Sequence, residues 1–137
     1  MECEGQILIT ITGDTHGLPE RFDSPKLRKL KKGDSLIICG DFGYLWNGDK
    51  QEERILERLS KKKYDILFVD GCHENYDLLA KYPVTEWNGG KVQQITGNIR
   101  HLMRGQVFEL EGKTLFTFGG GESRDKQMYA DMGKWWP

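Results

Sequence analysis

Short apolar runs recur along the first 70 residues of the chain. Residues 6–12 place Ile7, Ile9 and Ile11 on one face and Leu8 on the other, and 36–39 and 66–69 are continuous apolar segments. Runs of four to seven apolar residues are typical of strands buried on both faces, as in parallel sheets. The pattern therefore predicts three strands with little exposed surface.

Amphipathic stretches separate these runs. Residues 24–33 begin with Ser24 as an N-cap and Pro25 at the first helical position, and residues 49–63 carry a stripe of Ile55, Leu56 and Leu59. A third helix is predicted from Asn75 and must end before Pro83. The alternation of strand and helix predicts a parallel β-α-β-α-β start with right-handed crossovers.

The pattern changes after Pro83. Four shorter strands are predicted there, at 91–96, 99–103, 107–110 and 114–118. Glu111-Gly112-Lys113 is a suitable hairpin turn between the last two. The fold class is therefore α/β, with the parallel start followed by short mixed or antiparallel strands.

Composition narrows the functional classes. The chain has 137 residues with a net charge of -1, 37% hydrophobic and 30% charged. These values predict a single globular domain over residues 1–137, and they argue against nucleic-acid binding by bulk charge. No apolar run reaches the ~18 residues of a membrane span. The N-terminus has no apolar signal segment, so a cytoplasmic location is expected.

The cysteines do not form a metal or redox motif by spacing. Cys3, Cys39 and Cys72 are far apart, and the chain has no Cys-x-x-Cys pair. Cys39 belongs to an apolar run and is expected in the core. Cys72 has a different setting, described next.

Each of the three predicted parallel strands runs into a turn with glycine and a metal-competent side chain. The turns are Gly13-Asp14-Thr15-His16-Gly17, Gly40-Asp41-Phe42-Gly43 and Asp70-Gly71-Cys72-His73-Glu74. Parallel strands end at one edge of the sheet, so Asp14, His16, Asp41, Cys72 and His73 should converge. A mixture of oxygen and nitrogen donors suits Mn²⁺, Fe or Zn²⁺ better than Ca²⁺.

Each turn taken alone has a simpler interpretation. A glycine and aspartate after a strand is usually an Asx turn, and a lone histidine is usually a surface or capping residue. Asp41-Phe42-Gly43 matches a kinase motif, but the other kinase motifs are missing. Gly119-Gly120-Gly121 lacks the residues of a phosphate loop and is interpreted as a flexible turn. The coincidence of three turns favours a site.

Together these motifs resemble those of the calcineurin-like metallophosphoesterases. Gly13-Asp14-x-His16-Gly17, Gly40-Asp41 and Gly71-x-His73-Glu74 look like the first three family motifs, in the same order. The stretch from Gly89-Gly90-Lys91 to Phe118-Gly119-Gly120 resembles a bacterial and phage branch. The resemblance implies a metallophosphoesterase-type sandwich and a hydrolase that cleaves phosphate mono- or diesters.

The resemblance also implies roles for the five side chains. Asp14 and His16 would hold one divalent ion, Asp41 would bridge two ions, and Cys72 would contact the second. His73 would protonate the leaving oxygen or steady the phosphate. The two ions, expected to be Mn, Fe or Zn, would polarise the phosphate ester and activate a water for attack.

The chain departs from the family pattern in three places. Cys72 stands where the family has asparagine, and a thiolate favours Zn²⁺ over Mn²⁺. Tyr44 stands where one subgroup has a second aspartate. The family's later histidines are missing, and His101 matches none of their loops and is expected to be structural.

These departures lead us to expect a domain truncated at its C-terminal end, with an incomplete second metal site. Phosphoesterase activity of residues 1–137 should then be weak, unless Glu74, Glu122 or Asp125 completes the site. A catalytically weak metal- or phosphate-binding module is the second hypothesis. The large apolar residues near the end should favour self-association; they are Met128, Met132, Trp135 and Trp136.

Overall fold

The computed structural model describes residues 6–134. The strands are β1 (Ile9–Thr12), β2 (Ser35–Cys39), β3 (Asp65–Val69), β4 (Val84–Trp87), β5 (Gly90–Thr96), β6 (Ile99–Leu102), β7 (Gln106–Leu110) and β8 (Lys113–Thr117). The α-helices are α1 (Pro25–Arg28), α2 (Lys50–Ser60), α3 (Tyr76–Leu79) and α4 (Lys126–Ala130), and a 3-10 helix spans Pro19–Asp23.

The strands form two sheets. The main sheet has six strands in the order β1-β2-β3-β6-β5-β4, and β7 and β8 form a separate antiparallel pair. Strands β1, β2, β3 and β6 run parallel, whereas β5 and β4 are antiparallel to their neighbours. The predicted α/β class, with a parallel start followed by short mixed strands, is confirmed.

Side-chain caps start the helices where the sequence predicts them. The Ser24 hydroxyl accepts a hydrogen bond from Leu27 N, and the Asp49 carboxylate accepts from the backbone N–H groups of Gln51 and Glu52. Helix α1 ends at Arg28 and is therefore shorter than the predicted segment 24–33. Gly33, expected at its C-terminal end, lies in the following turn with a φ of 98°. The Asp34 carboxylate then accepts from Lys31 N and Leu8 N, which ties this turn to the start of the sheet.

Each face of the main sheet packs against a different layer. On one face the helices cover a large core that includes Phe22, Ile38, Phe42 and Phe68. The stripe predicted for α2 belongs to this core, with Leu56 and Leu59 buried and Ile55 packed against it. On the other face the β7–β8 hairpin covers a smaller core; its buried members are Ile37, Leu67, Val92, Leu102, Phe108 and Leu110.

The β7–β8 hairpin turns where predicted. Leu110 pairs with Lys113, so Glu111 and Gly112 form a two-residue turn, with φ angles of 53° and 69°. Two positive φ angles in a two-residue hairpin loop indicate a type I′ turn. On β5, a Cβ at Gly90 would lie 2.6 Å from the Phe108 ring, so this glycine lets the hairpin approach the sheet.

Two burial predictions are wrong. Strand β1 is not buried on both faces, since Ile11 is 63% exposed and Leu8 49%. It is an edge strand, and the hairpin core reaches it only through the partly buried Ile9. Cys39, expected in the core, is exposed at the last position of β2, where it lines a cavity together with Leu115 and Phe116 of β8.

The elements after Pro83 were only partly predicted. Strand β4 was missed because Val84 and Trp87 are separated by two polar residues and do not form an apolar run. Helix α4 was also missed; Met128 within it and Met132 after it are exposed.

Trp135 and Trp136 lie outside the described residues, so self-association through this end stays a prediction. Within residues 6–134 no helix has the length and apolar character needed to cross a membrane.

A buried polar network ties β3 to β5 and β6. His101, 5% exposed, places Nε2 2.9 Å from Asp70 Oδ1 and Nδ1 2.8 Å from Gln93 Oε1. Arg104 Nε donates to Asp70 Oδ2 at 2.7 Å. Burial raises the pKa of Asp70, but the hydrogen bonds from His101 and Arg104 outweigh burial and lower it overall. His101 is thus the structural residue that was expected.

We predict that His101→Ala destabilises the fold. The change removes two buried hydrogen bonds, one of them to a carboxylate, and should lower the free energy of unfolding by about 2–3 kcal/mol. Urea denaturation measures this value. Glu57→Ala, which breaks an exposed pair with Lys61, is the control and should have no measurable effect. Equal stability of both variants would contradict the prediction.

Candidate metal centre

Three loops follow parallel strands and meet at one edge of the main sheet. Thr12 at the end of β1 is paired with Ile38, and Cys39 at the end of β2 is paired with Val69. Residues 13–17, 40–43 and 70–75 therefore leave the sheet side by side. This edge is where open α/β sheets bind ligands.

The first two loops are hydrogen-bonded directly to each other. The Asp41 carbonyl accepts from Thr15 N at 3.2 Å and from His16 N at 2.9 Å, and the Phe42 carbonyl accepts from Gly17 N at 3.1 Å. A Cβ at Gly17 would lie 2.6 Å from the Gly43 carbonyl oxygen. The glycines of both motifs therefore serve close backbone packing.

Two of the predicted site residues have unusual backbone conformations. His16 has a φ of 48° and Asp41 a φ of 45°, both in the left-handed region. Non-glycine residues rarely adopt this region, and such residues cluster at active sites. The conformation lets the Asp41 carbonyl face one neighbouring loop while its carboxylate faces the other.

The five predicted side chains form two groups that share Asp41. Potential ligand atoms of Asp14, His16 and Asp41 all lie within 4.8 Å of one another, and so do those of Asp41, Cys72 and His73. In the first group, His16 Nε2 is 3.5 Å from Asp14 Oδ2 and 4.0 Å from Asp41 Oδ2. Asp41 is buried, whereas Asp14 and His16 are exposed.

The second group is tighter and less exposed. His73 Nδ1 is 3.1 Å from Asp41 Oδ2, and the His73 backbone N–H donates to Asp41 Oδ1 at 3.0 Å. Cys72 Sγ lies 3.9 Å from Asp41 Oδ1 and 3.5 Å from His73 Nδ1. Burial and the Asp41 charge raise the pKa of the Cys72 thiol, so a cation would have to displace its proton before the sulfur could bind as thiolate.

The structure thus brings all five predicted residues together, and Cys72 faces the shared carboxylate. Their individual roles stay predictions. Of the other acids considered, Glu122 and Asp125 are exposed and belong to neither of the groups found among residues 6–134.

Glu74 is buried beside the site, and its hydrogen-bond partners are backbone N–H groups of the neighbouring loops. One carboxylate oxygen accepts from Phe42 N at 2.9 Å and from Gly71 N at 3.1 Å, which joins the second loop to the third. Burial raises the pKa of Glu74 to about 8, although the two backbone hydrogen bonds act in the opposite direction. Glu74 therefore positions the loops and belongs to neither ligand group.

Two residues beside His73 were missed by the sequence analysis. Ser123 Oγ lies 2.8 Å from His73 Nε2, and the Tyr129 ring contacts the His73 ring edge-on at 5.2 Å. Ser123 follows the Gly119-Gly120-Gly121 turn, where Gly120 N donates to the Asp70 carbonyl and Gly119 has no room for a Cβ. The run of three glycines was the sequence feature that could have indicated this contact, because glycine lets the backbone approach another loop closely.

Comparison with known proteins identifies the family. The family model for calcineurin-like phosphoesterases matches residues 7–137, nearly the whole chain. No curated protein and no solved structure matches the chain. The family match agrees with the α/β fold and with the position of the acidic and histidine loops described above. The chain belongs to the calcineurin-like phosphoesterase family.

Proposed function

We propose that this protein is a phosphoesterase that hydrolyses phosphate mono- or diesters with two divalent ions. Family membership implies a metal-dependent phosphoesterase in general. The observation that carries the two-ion proposal is the pair of ligand groups joined through Asp41. A carboxylate shared between two groups could contribute to both ion sites.

The donor sets fit divalent metals. The first group offers three side chains, which is the number of protein ligands in a typical catalytic zinc site, whereas the second offers Asp41 and Cys72, with His73 kept for proton transfer. Asp14, His16 and Asp41 supply oxygen and nitrogen, and Cys72 adds sulfur, a set suited to Mn, Fe or Zn. When bound, such ions polarise a phosphate ester and lower the pKa of a water molecule.

The protein's own residues would orient the groups and move the proton. The Asp41 carboxylate is held by the His73 backbone N–H, and the loops around it are fixed by backbone hydrogen bonds. Because His73 Nδ1 faces Asp41, Nε2 is the ring atom that would hold a proton for the leaving oxygen. Ser123 Oγ lies 2.8 Å from that atom and keeps the ring in place, and the leaving oxygen would have to replace Ser123 as its partner.

We predict weak Mn²⁺-dependent hydrolysis of a chromogenic phosphodiester, with loss of turnover in excess chelator. The activity should be weak because Glu74, Glu122 and Asp125 belong to neither ligand group. His73→Gln should lower kcat by roughly 10²–10⁴-fold, the usual contribution of a proton-transferring side chain. Steady-state kinetics with and without added Mn²⁺ measures both effects. Turnover that does not depend on metal, or that is unchanged in His73→Gln, would contradict the proposal.

Asp41→Asn should weaken Mn²⁺ binding more than any other single change in the two groups. It removes the shared charge, and asparagine tolerates the left-handed backbone that Asp41 adopts. We expect a loss of affinity of about tenfold or more, measured by calorimetry. Asp14→Asn should affect one group only, and Asp125→Asn, outside both groups, is the control. Equal affinities of Asp41→Asn and the control would refute the shared role.

Cys72→Asn should shift the metal preference from Zn²⁺ toward Mn²⁺. The change replaces a soft sulfur with a carbonyl oxygen at the same place, and oxygen donors favour harder ions. Competition titrations give the ratio of the two affinities. Cys39→Asn is the matched control, since Cys39 is exposed and belongs to neither group. An unchanged ratio in Cys72→Asn would show that the sulfur does not bind the metal.

A further inference from the structure

A cleft of about 500 Å³ leads away from the ligand groups. His16, Asp41 and His73 line one end of it. The rest of the lining belongs mainly to the loop before α2 and to α2 itself, with Tyr129 from α4. A cleft of this size holds a small organic molecule.

An aromatic wall runs along the cleft from His73. The Tyr129 ring contacts the His73 ring at 5.2 Å, and the Trp46 ring contacts Tyr129 at 5.5 Å, both edge-on. The ammonium of Lys134 lies 4.5 Å from the centre of the Trp46 ring. The wall therefore begins beside the candidate proton donor and continues for two more rings.

Backbone hydrogen bonds fix the position of Trp46. The Glu52 carboxylate accepts from the N–H groups of Trp46, Asn47 and Gly48, at distances from 2.7 to 3.2 Å. The Asn75 side chain donates to the Trp46 carbonyl at 2.7 Å. A rigidly held ring is a good stacking surface, because little freedom is lost when a ligand packs on it.

The rest of the lining adds an apolar contact for an aromatic ring. Ile55 lines the cleft together with Trp46 and Tyr129. The carboxylates of Asp49 and Glu52 also lie there, but both accept backbone N–H groups, and the Lys134 ammonium lies over Trp46. The charges along the cleft are therefore mixed, and its rings are the feature that can select a ligand.

We propose that the substrate is a small phosphoester with an aromatic group that lies along Trp46 and Tyr129. This inference rests on the proposed function for the position of the phosphate. Trp46 is then a specificity-determining residue, which selects among phosphoesters by stacking.

The test measures binding of non-hydrolysable phosphonates to the full chain with Mn²⁺ by calorimetry. Phenylphosphonate should bind about tenfold more tightly than methylphosphonate, as expected for stacking on an aromatic side chain. Trp46→Leu should remove the preference for phenylphosphonate over methylphosphonate.

Trp87→Leu is the matched control, since Trp87 packs on Phe108 and does not line the cleft. It should keep the preference for phenylphosphonate. Equal binding of phenylphosphonate and methylphosphonate, or an unchanged preference in Trp46→Leu, overturns this inference and leaves the proposed function standing. If neither phosphonate binds, the ligand groups do not hold a phosphate group, and the result contradicts the proposed function as well.

Discussion

The site depends on one buried aspartate that faces two loops at once. The carbonyl of Asp41 accepts hydrogen bonds from the Thr15 and His16 backbone, and its carboxylate accepts one from the His73 backbone. A left-handed φ makes both contacts possible from a single residue. Gly71 packs so closely that an added Cβ would collide with Asp41. The positions of all three loops are therefore set around this side chain, and so is the separation of the two ligand groups.

Acidic side chains cluster around this residue. Glu74 and Asp70 are buried nearby, and the charges of Asp41 and Asp70 both act to raise the pKa of Glu74. Two of these carboxyl groups have hydrogen-bond partners within the protein. Backbone N–H groups donate to Glu74, and His101 and Arg104 contact Asp70. The Asp41 carboxylate has one backbone N–H, the Cys72 thiol and the rings of His16 and His73 as its neighbours. A carboxylate that is buried with so few cationic partners is well suited to bind a cation.

Local sequence signals predicted much of this arrangement, and tertiary contacts determined the rest. The caps at Ser24, Asp49 and Asn75 and the Glu111-Gly112 turn depend on neighbouring residues, so they could be predicted. The convergence of the three loops followed from parallel strand order. Ile11 is exposed because β1 lies at the edge of the sheet, and Cys39 because the hairpin does not pack closely on the end of β2. Neither arrangement can be predicted from the local sequence. Ser123 and Tyr129 reach His73 from 50 or more positions along the chain, so spacing could not reveal them.

The two ligand groups differ in their contact with solvent, and this difference has chemical consequences. The side chains of Asp14 and His16 are 52% and 58% exposed, whereas that of His73 is 23% exposed. Electrostatic attraction is stronger where water is excluded, but the cost of removing water from a cation is also greater there. Under the proposed function, the exposed group would exchange a cation and its water readily. The enclosed group, beside Ser123, Tyr129 and the aromatic wall, provides the fixed surroundings in which a reacting phosphate would be oriented.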